Sequence, residues 1–282
     1  MCNTCGCNIT EGNRHLLTPV PQTNLLGNNP ARVLNSLMEH NDRQAETNRS
    51  VLDRHGILTI NLMSSPGSGK TSLLESTIRR LDGRWRIGVV EGDLETENDA
   101  QRIRALGVPA HQITTGTACH LDAHLVQKGL AHLDLSQLDL LFIENVGNLV
   151  CPASFDLGHH RNVTLLSVTE GDDKPAKYPV MFRAADLMLI SKTDLLPYLG
   201  EFSPERAETC LRNLASRAPV FRVSARSGEG MEQWVEWLST ELLAYRELLK
   251  SRKTMMPQVQ SEGRRLHALA PEITFRPLAK AD

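Results

Sequence analysis

From Gly56 onward, short apolar runs alternate with stretches in which apolar residues recur every three or four positions. Seven runs read as strands, at 57–63, 87–91, 110–113, 138–144, 163–168, 187–191 and 220–224. They are rich in Leu, Ile and Val, and most are continuous, the pattern of strands buried on both faces. Helical periods fill most of the gaps. The predicted fold is α/β, a mostly parallel sheet with helices on both faces. Ahead of it, 31–55 reads as a leading helix, with Val33, Leu34, Leu37 and Met38 on one face and Gly56 as its stop. The last helix runs from about 231 to 249. Its stripe of Met231, Trp234, Val235, Leu238, Leu242 and Tyr245 reads as core or subunit contact.

These patterns divide the chain into an amino-terminal segment (1–30), a body with its leading helix (31–249) and a carboxy-terminal tail (250–282). Residues 8–30 are rich in Asn, Thr, Gly and Pro and read as a linker. The tail holds seven Lys or Arg against three acids and reads as mobile and basic. The chain as a whole is ordinary for a globular protein of 282 residues, with 40% hydrophobic and 23% charged positions. Its net charge of −2 gives no reason to expect a nucleic-acid partner. No apolar run reaches the about 20 residues of a membrane span. The first residues lack the basic and apolar regions of a secretory signal, so a cytoplasmic protein is expected.

The sharpest local signal is Ser64-Ser65-Pro66-Gly67-Ser68-Gly69-Lys70-Thr71, followed by Ser72, between a predicted strand and an amphipathic helix. That is the setting of a phosphate loop. Its backbone N–H groups, at Gly67, Ser68 and Gly69 among others, would point at oxyanions, aided by the helix N-terminus. Lys70 would reach the terminal phosphates, and the Thr71 hydroxyl would ligate Mg²⁺. The usual first glycine is Ser64 here. Downstream, Ser191-Lys192-Thr193-Asp194 and Ser224-Ala225 follow predicted strands, where open α/β sheets place ligand loops. The Asp194 carboxylate accepts only, so it matches the ring N–H and amine of guanine and not the acceptor nitrogen of adenine. Lys192 would lie along the base, and the Ala225 N–H would meet the guanine carbonyl. Ser191 stands where many GTPases carry Asn, removing one loop-bracing amide. Asp93, ending the second strand, is the candidate organiser of Mg²⁺. Glu144 and Gly147, after the fourth, occupy the position that senses a γ-phosphate. Lys70, Asp93 and Glu144 are the candidate catalytic residues.

The six cysteines add metal chemistry. Cys2-x-x-Cys5-Gly6-Cys7 places three thiols within six residues where no core can bury them. Three sulfurs and an amine suit planar Ni²⁺, and Zn²⁺ and Cu⁺ also favour thiolates. Cys119-His120 and Cys151 form a second constellation. Cys151 follows Gly147 by four residues, which suggests that hydrolysis changes the metal geometry. Two small buried cysteines and an unrelated histidine are the alternative. Cys210 reads as a packing residue, and the other histidines, including His159 and His160, as surface residues.

These motifs together resemble the hydrogenase nickel-incorporation GTPases (HypB type) of the SIMIBI class. The likeness covers about 57–245 and the amino-terminal cysteines. It rests on the phosphate loop, Glu91-Gly92-Asp93, Thr115-Gly116 with Cys119-His120-Leu121-Asp122, and 144–152. It rests also on Thr169-Glu170-Gly171-Asp172-Asp173-Lys174-Pro175, 192–198 and the Ser-Gly-Glu-Gly segment. The resemblance implies GTP/GDP and Mg²⁺ at the nucleotide site, a tight nickel site at Cys2, Cys5 and Cys7, and a weaker nickel or zinc site at Cys119, His120 and Cys151. It implies a nucleotide- or metal-promoted homodimer that delivers nickel, with a HypA-type accessory protein, to the precursor of the [NiFe]-hydrogenase large subunit. Rival readings are a urease-type nickel GTPase, whose Cys-Pro-His is absent here, a non-catalytic metal buffer and a small-molecule ATP kinase.

Overall fold

A computed structural model of the chain describes residues 30–258 apart from Asp82, 94–96 and Thr117, with side chains from Leu37 onward. The amino-terminal cysteines, Cys2, Cys5 and Cys7, lie outside the described residues. The leading helix α1 (Pro30–His55) is followed by β1 (Leu58–Ser64), α2 (Lys70–Leu81), β2 (Ile87–Asp93), α3 (Asn98–Arg104), β3 (Ala110–Thr114) and α4 (Ala123–Leu130). Then come β4 (Leu140–Glu144), β5 (Arg161–Ser167), the short helices α5 (Lys174–Lys177) and α6 (Pro179–Arg183), and β6 (Leu187–Ser191). The order closes with α7 (Pro204–Asn213), β7 (Val220–Val223) and α8 (Met231–Lys250).

The seven strands form one sheet in the order β3-β2-β4-β1-β5-β6-β7, and every pairing is parallel. The α/β sheet read from the sequence is therefore present. Each of its seven strands lies within three residues of its predicted bounds. Alternation along the strands splits the core into two faces. Leu140 and Phe142 pack with α2 and α8, through Leu74, Ile78 and Trp234. Leu141 and Ile143 pack with α1 and α4, through Leu52, Leu125 and Val126. A third cluster joins β5 and β6 to α6 and α7. The α8 stripe is thus core: Trp234 is fully buried and donates to Thr77 Oγ1 at 2.9 Å.

Two expectations need correction. His159 and His160 are buried, at 3% and 0% exposure, because the turn into β5 runs beneath α1. The chain after α8 does not leave the fold at once. Met255 is buried, Arg161 donates to the Met256 carbonyl at 2.8 Å, and the Gln258 N–H donates to Asp186 at 2.8 Å.

β1 is the central strand, and the chain reverses its direction of travel across the sheet beside it. Ligands of open α/β sheets bind beyond the carboxyl ends of the strands at such a reversal. The ends of β1, β2, β4 and β6 carry Ser64, Asp93, Glu144 and Ser191.

Candidate functional site

The loop from β1 to α2 turns through Gly67 (φ 71°) and Gly69 (φ 98°). Ser64, in the place of the usual glycine, is fully buried, and its hydroxyl accepts from Lys70 Nζ at 3.1 Å and from the Ser68 hydroxyl. Thr71 donates to Glu144 Oε1 at 3.0 Å, and Lys70 Nζ stands 4.0 Å from the same oxygen. The structure thus joins Lys70, Thr71 and Glu144, which are 74 residues apart at the extremes.

A cavity of about 220 Å³ opens beside the loop, lined by Ser68, Gly69, Ser72, Lys192, Asp194 and Ala225 among others. Lys192 takes a left-handed conformation (φ 61°) and donates to the Gly67 carbonyl at 2.6 Å. Asp194 Oδ1 accepts from the Ser224 hydroxyl at 2.6 Å, which fixes the carboxylate's direction. Ser191 does not leave the loop unbraced. Its hydroxyl donates to the Ser68 carbonyl at 2.8 Å, so a serine supplies a tie between the two segments. Arg226, next to Ala225, also lines this cavity.

The acidic end of the site lies where β2 and β4 run side by side. The register of β2 on β4 sets Glu91, not Asp93, opposite Glu144. Carboxylate oxygens of Glu91, Asp99 and Glu144 lie within 4.8 Å of one another. Burial, then the charges of Glu144, Asp99 and Asp93, push the Glu91 carboxyl up to about 8. Burial pushes Glu144 up to about 7, against the pull of Lys70 and Thr71. One oxygen of each glutamate is buried without a hydrogen-bond partner among the described residues. Two buried carboxylates so placed fit a divalent cation, which would relieve both. Asp93 is two residues along β2, half-buried, on the same side of the strand. No sequence motif marks Asp99; Glu91 was visible in the motif, but only the register shows which acid faces Glu144.

The sulfur cluster sits beside this site. Cys119 and Cys151 are 3.2 Å apart between sulfurs, and Cys119 Sγ is 3.8 Å from His120 Nδ1. One ligand atom from each of the three residues falls within 4.8 Å of the others. His120 is fully buried and stacked on Phe155 at 4.1 Å. Burial drives its pKa down to about 4, which keeps the imidazole neutral and able to bind a metal near pH 7. Asp122 caps α4 by accepting from the Leu125 N–H at 2.8 Å, so the ligand segment ends on a fixed point. The segment carrying Cys151 is tied to the phosphate loop. The Asn148 N–H donates to the Ser64 carbonyl at 2.8 Å. A Cβ at Gly147 would lie 2.8 Å from Pro66 Cα, a contact closed to any other residue. Asn145 accepts from the Leu121 N–H at 3.2 Å and donates to Asn61 at 3.1 Å, which binds the Cys119 side as well.

A parallel sheet with this loop, the cavity beside it and acidic strand ends defines a P-loop nucleotide-binding protein. The family model described as CobW/HypB/UreG, nucleotide-binding domain, matches residues 58–222. The hydrogenase maturation factor HypB of Azotobacter vinelandii is 55% identical over 210 residues, which are 74% of this chain and 69% of that one. That of Escherichia coli is 49% identical over 237 residues, covering 83% and 81%. The crystal structure of HypB from Helicobacter pylori in complex with nickel superposes with a TM-score of 0.69 at 41% identity, covering 76% and 97%. The chain belongs to the HypB hydrogenase maturation factors of this P-loop family.

Proposed function

We propose that the protein is a GTP-hydrolysing nickel metallochaperone that inserts Ni²⁺ into the precursor of the [NiFe]-hydrogenase large subunit, working with a HypA-type partner. The observation that carries this reading is the tie between the two sites. The Asn148 N–H is bonded to the phosphate loop, and Cys151 follows three residues later. A change at the γ-phosphate is thereby felt by a sulfur that faces Cys119 and His120. The ion is cargo, held by two thiolates and a neutral imidazole in this site and by Cys2, Cys5 and Cys7 in the amino-terminal segment. Zn²⁺ suits the same ligands.

GTP would lie with its phosphates on the amides of 67–72 and on Lys70. Its base would enter the cavity between Lys192 and Asp194, with the Ala225 N–H on the guanine carbonyl. Mg²⁺ would be held through Thr71 and the carboxylates at the ends of β2 and β4, Asp93 with Glu91 and Glu144. It would neutralise developing phosphate charge. Glu144 keeps the Thr71 hydroxyl aimed. Hydrolysis switches conformation and the state of a homodimer, and so times metal release.

The test pairs phosphate release with metal titration. Hydrolysis of GTP is expected in the wild type and absent in Lys70→Ala. Nickel affinity at Cys119, His120 and Cys151, measured with Cys2, Cys5 and Cys7 replaced by Ala, is expected to differ between GDP and a non-hydrolysable GTP analogue. Equal affinity with both nucleotides would refute the coupling.

A further inference from the structure

Helix α1 is the element through which residues 1–29 join the domain, and part of its buried face is polar. Asn41, Asn48 and Arg49 are 5%, 2% and 4% exposed. Their spacing of about two turns puts them on one side of the helix. Asn41 accepts from the Ala123 N–H at 3.0 Å and donates to the Asp156 carbonyl at 2.9 Å. Asn48 donates to the carbonyls of Ala123 at 2.8 Å and Leu157 at 3.1 Å, while Gln44 holds its oxygen at 2.9 Å. Arg49 grips both oxygens of Asp156, at 2.7 and 2.8 Å.

Ala123 lies three residues after His120, and Asp156 lies five after Cys151. Each asparagine therefore touches both segments that carry the sulfur and imidazole ligands. Phe155, on which His120 stacks, is in the clamped segment. At Gly158, φ is +87° and a Cβ would lie 2.6 Å from the Ala45 carbonyl of α1. The loop thus approaches the helix as closely as a glycine permits.

We propose that Asn41 and Asn48 are positioning residues for the Cys119, His120 and Cys151 metal site, setting the separation of its two ligand-bearing segments, so that a shift of α1 alters its metal affinity. The inference rests on the reading of those three residues as a metal site. Directional amide bonds hold two loops at a set distance, which a greasy helix face does not do.

The experiment uses the full chain with Cys2, Cys5 and Cys7 replaced by Ala, titrated with Ni²⁺ and followed by the thiolate-to-nickel charge-transfer absorption. Asn41→Ala with Asn48→Ala is expected to weaken binding about tenfold or more and to shift the band, as loss of ligand-supporting partners does elsewhere. Metal-free GTP hydrolysis is expected to stay near the wild-type rate, which separates this role from general loss of structure. Gly158→Ala moves the same loop from the other side, and is used where circular dichroism shows the double variant unfolded. Wild-type affinity and an unshifted band in a folded variant would overturn the inference. A parent protein that binds no nickel would overturn the metal-site reading beneath it.

Discussion

Glu91 and Glu144 are buried carboxylates facing each other across β2 and β4. Burial raises the pKa of both, and Lys70 offsets only part of that. A carboxyl raised to about 8 stabilises the fold fully below its ordinary value of 4.5, and that stability is lost as pH rises through about 8. Glu91→Gln does not titrate. Metal-free unfolding at pH 8.5 is expected to show the variant more stable than the wild type, by about 1 kcal/mol or more. Added Mg²⁺ is expected to reverse the order, and GTP turnover to fall at least about tenfold. Identical urea midpoints at pH 6 and 8.5 for the two proteins would refute it. The proposed base pocket is tested at the same scale. Asn in place of Asp194 offers a donor where guanine has one, so Asp194→Asn is expected to lose guanine and gain xanthine nucleotides in competition binding.

At the scale of elements, α1, the turn into β5, α8 and the segment after α8 meet on one carboxylate. Asp53 accepts from Tyr245 at 2.8 Å, from Thr254 at 3.1 Å and faces His160 Nε2 at 3.2 Å. Burial pushes the Asp53 carboxyl up, and these hydrogen bonds outweigh it and hold it below its ordinary range. The other nitrogen of His160 accepts from the Thr59 N–H at 2.9 Å, which assigns the remaining proton to the Asp53 side. Asp53→Ala orphans two buried donors and is expected to cost about 3 kcal/mol. Chemical denaturation measures the loss. A drop within about 0.5 kcal/mol would show that apolar contacts alone seat α1.

For the whole molecule, the correction at His159 becomes a statement about acid. Burial, only partly offset by Asp156, lowers its pKa to about 4. A depressed histidine stabilises the fold fully above its ordinary value of 6.5, and that stability is lost as pH falls toward 4. By pH 5 the loss from this group is about 2 kcal/mol. His159→Gln is expected to flatten the stability profile between pH 6.5 and 5, and equal slopes would refute the assignment. Among the described residues no helix is long and apolar enough to cross a membrane.

The amino-acid order by itself determined the seven strands, the phosphate loop, the two later segments that line the cavity beside it, and the three groups of metal-ligand candidates. These signals are local: an apolar run, a glycine spacing, a pair of thiols. It misplaced His159 and His160, since period and composition do not say that a turn passes under a helix. It left open which acid of β2 faces Glu144, because that depends on strand register, and the register sets Glu91 there. It read a defect into Ser191, whose hydroxyl finds the Ser68 carbonyl only when β6 and the loop after β1 come together. It assigned no work to Asn41 and Asn48, whose four hydrogen bonds reach Ala123, Asp156 and Leu157, 75 or more residues away. What tertiary structure alone decided is which distant polar groups share a buried space, where each unpaired donor or acceptor costs stability and the surviving arrangement is the one that satisfies them.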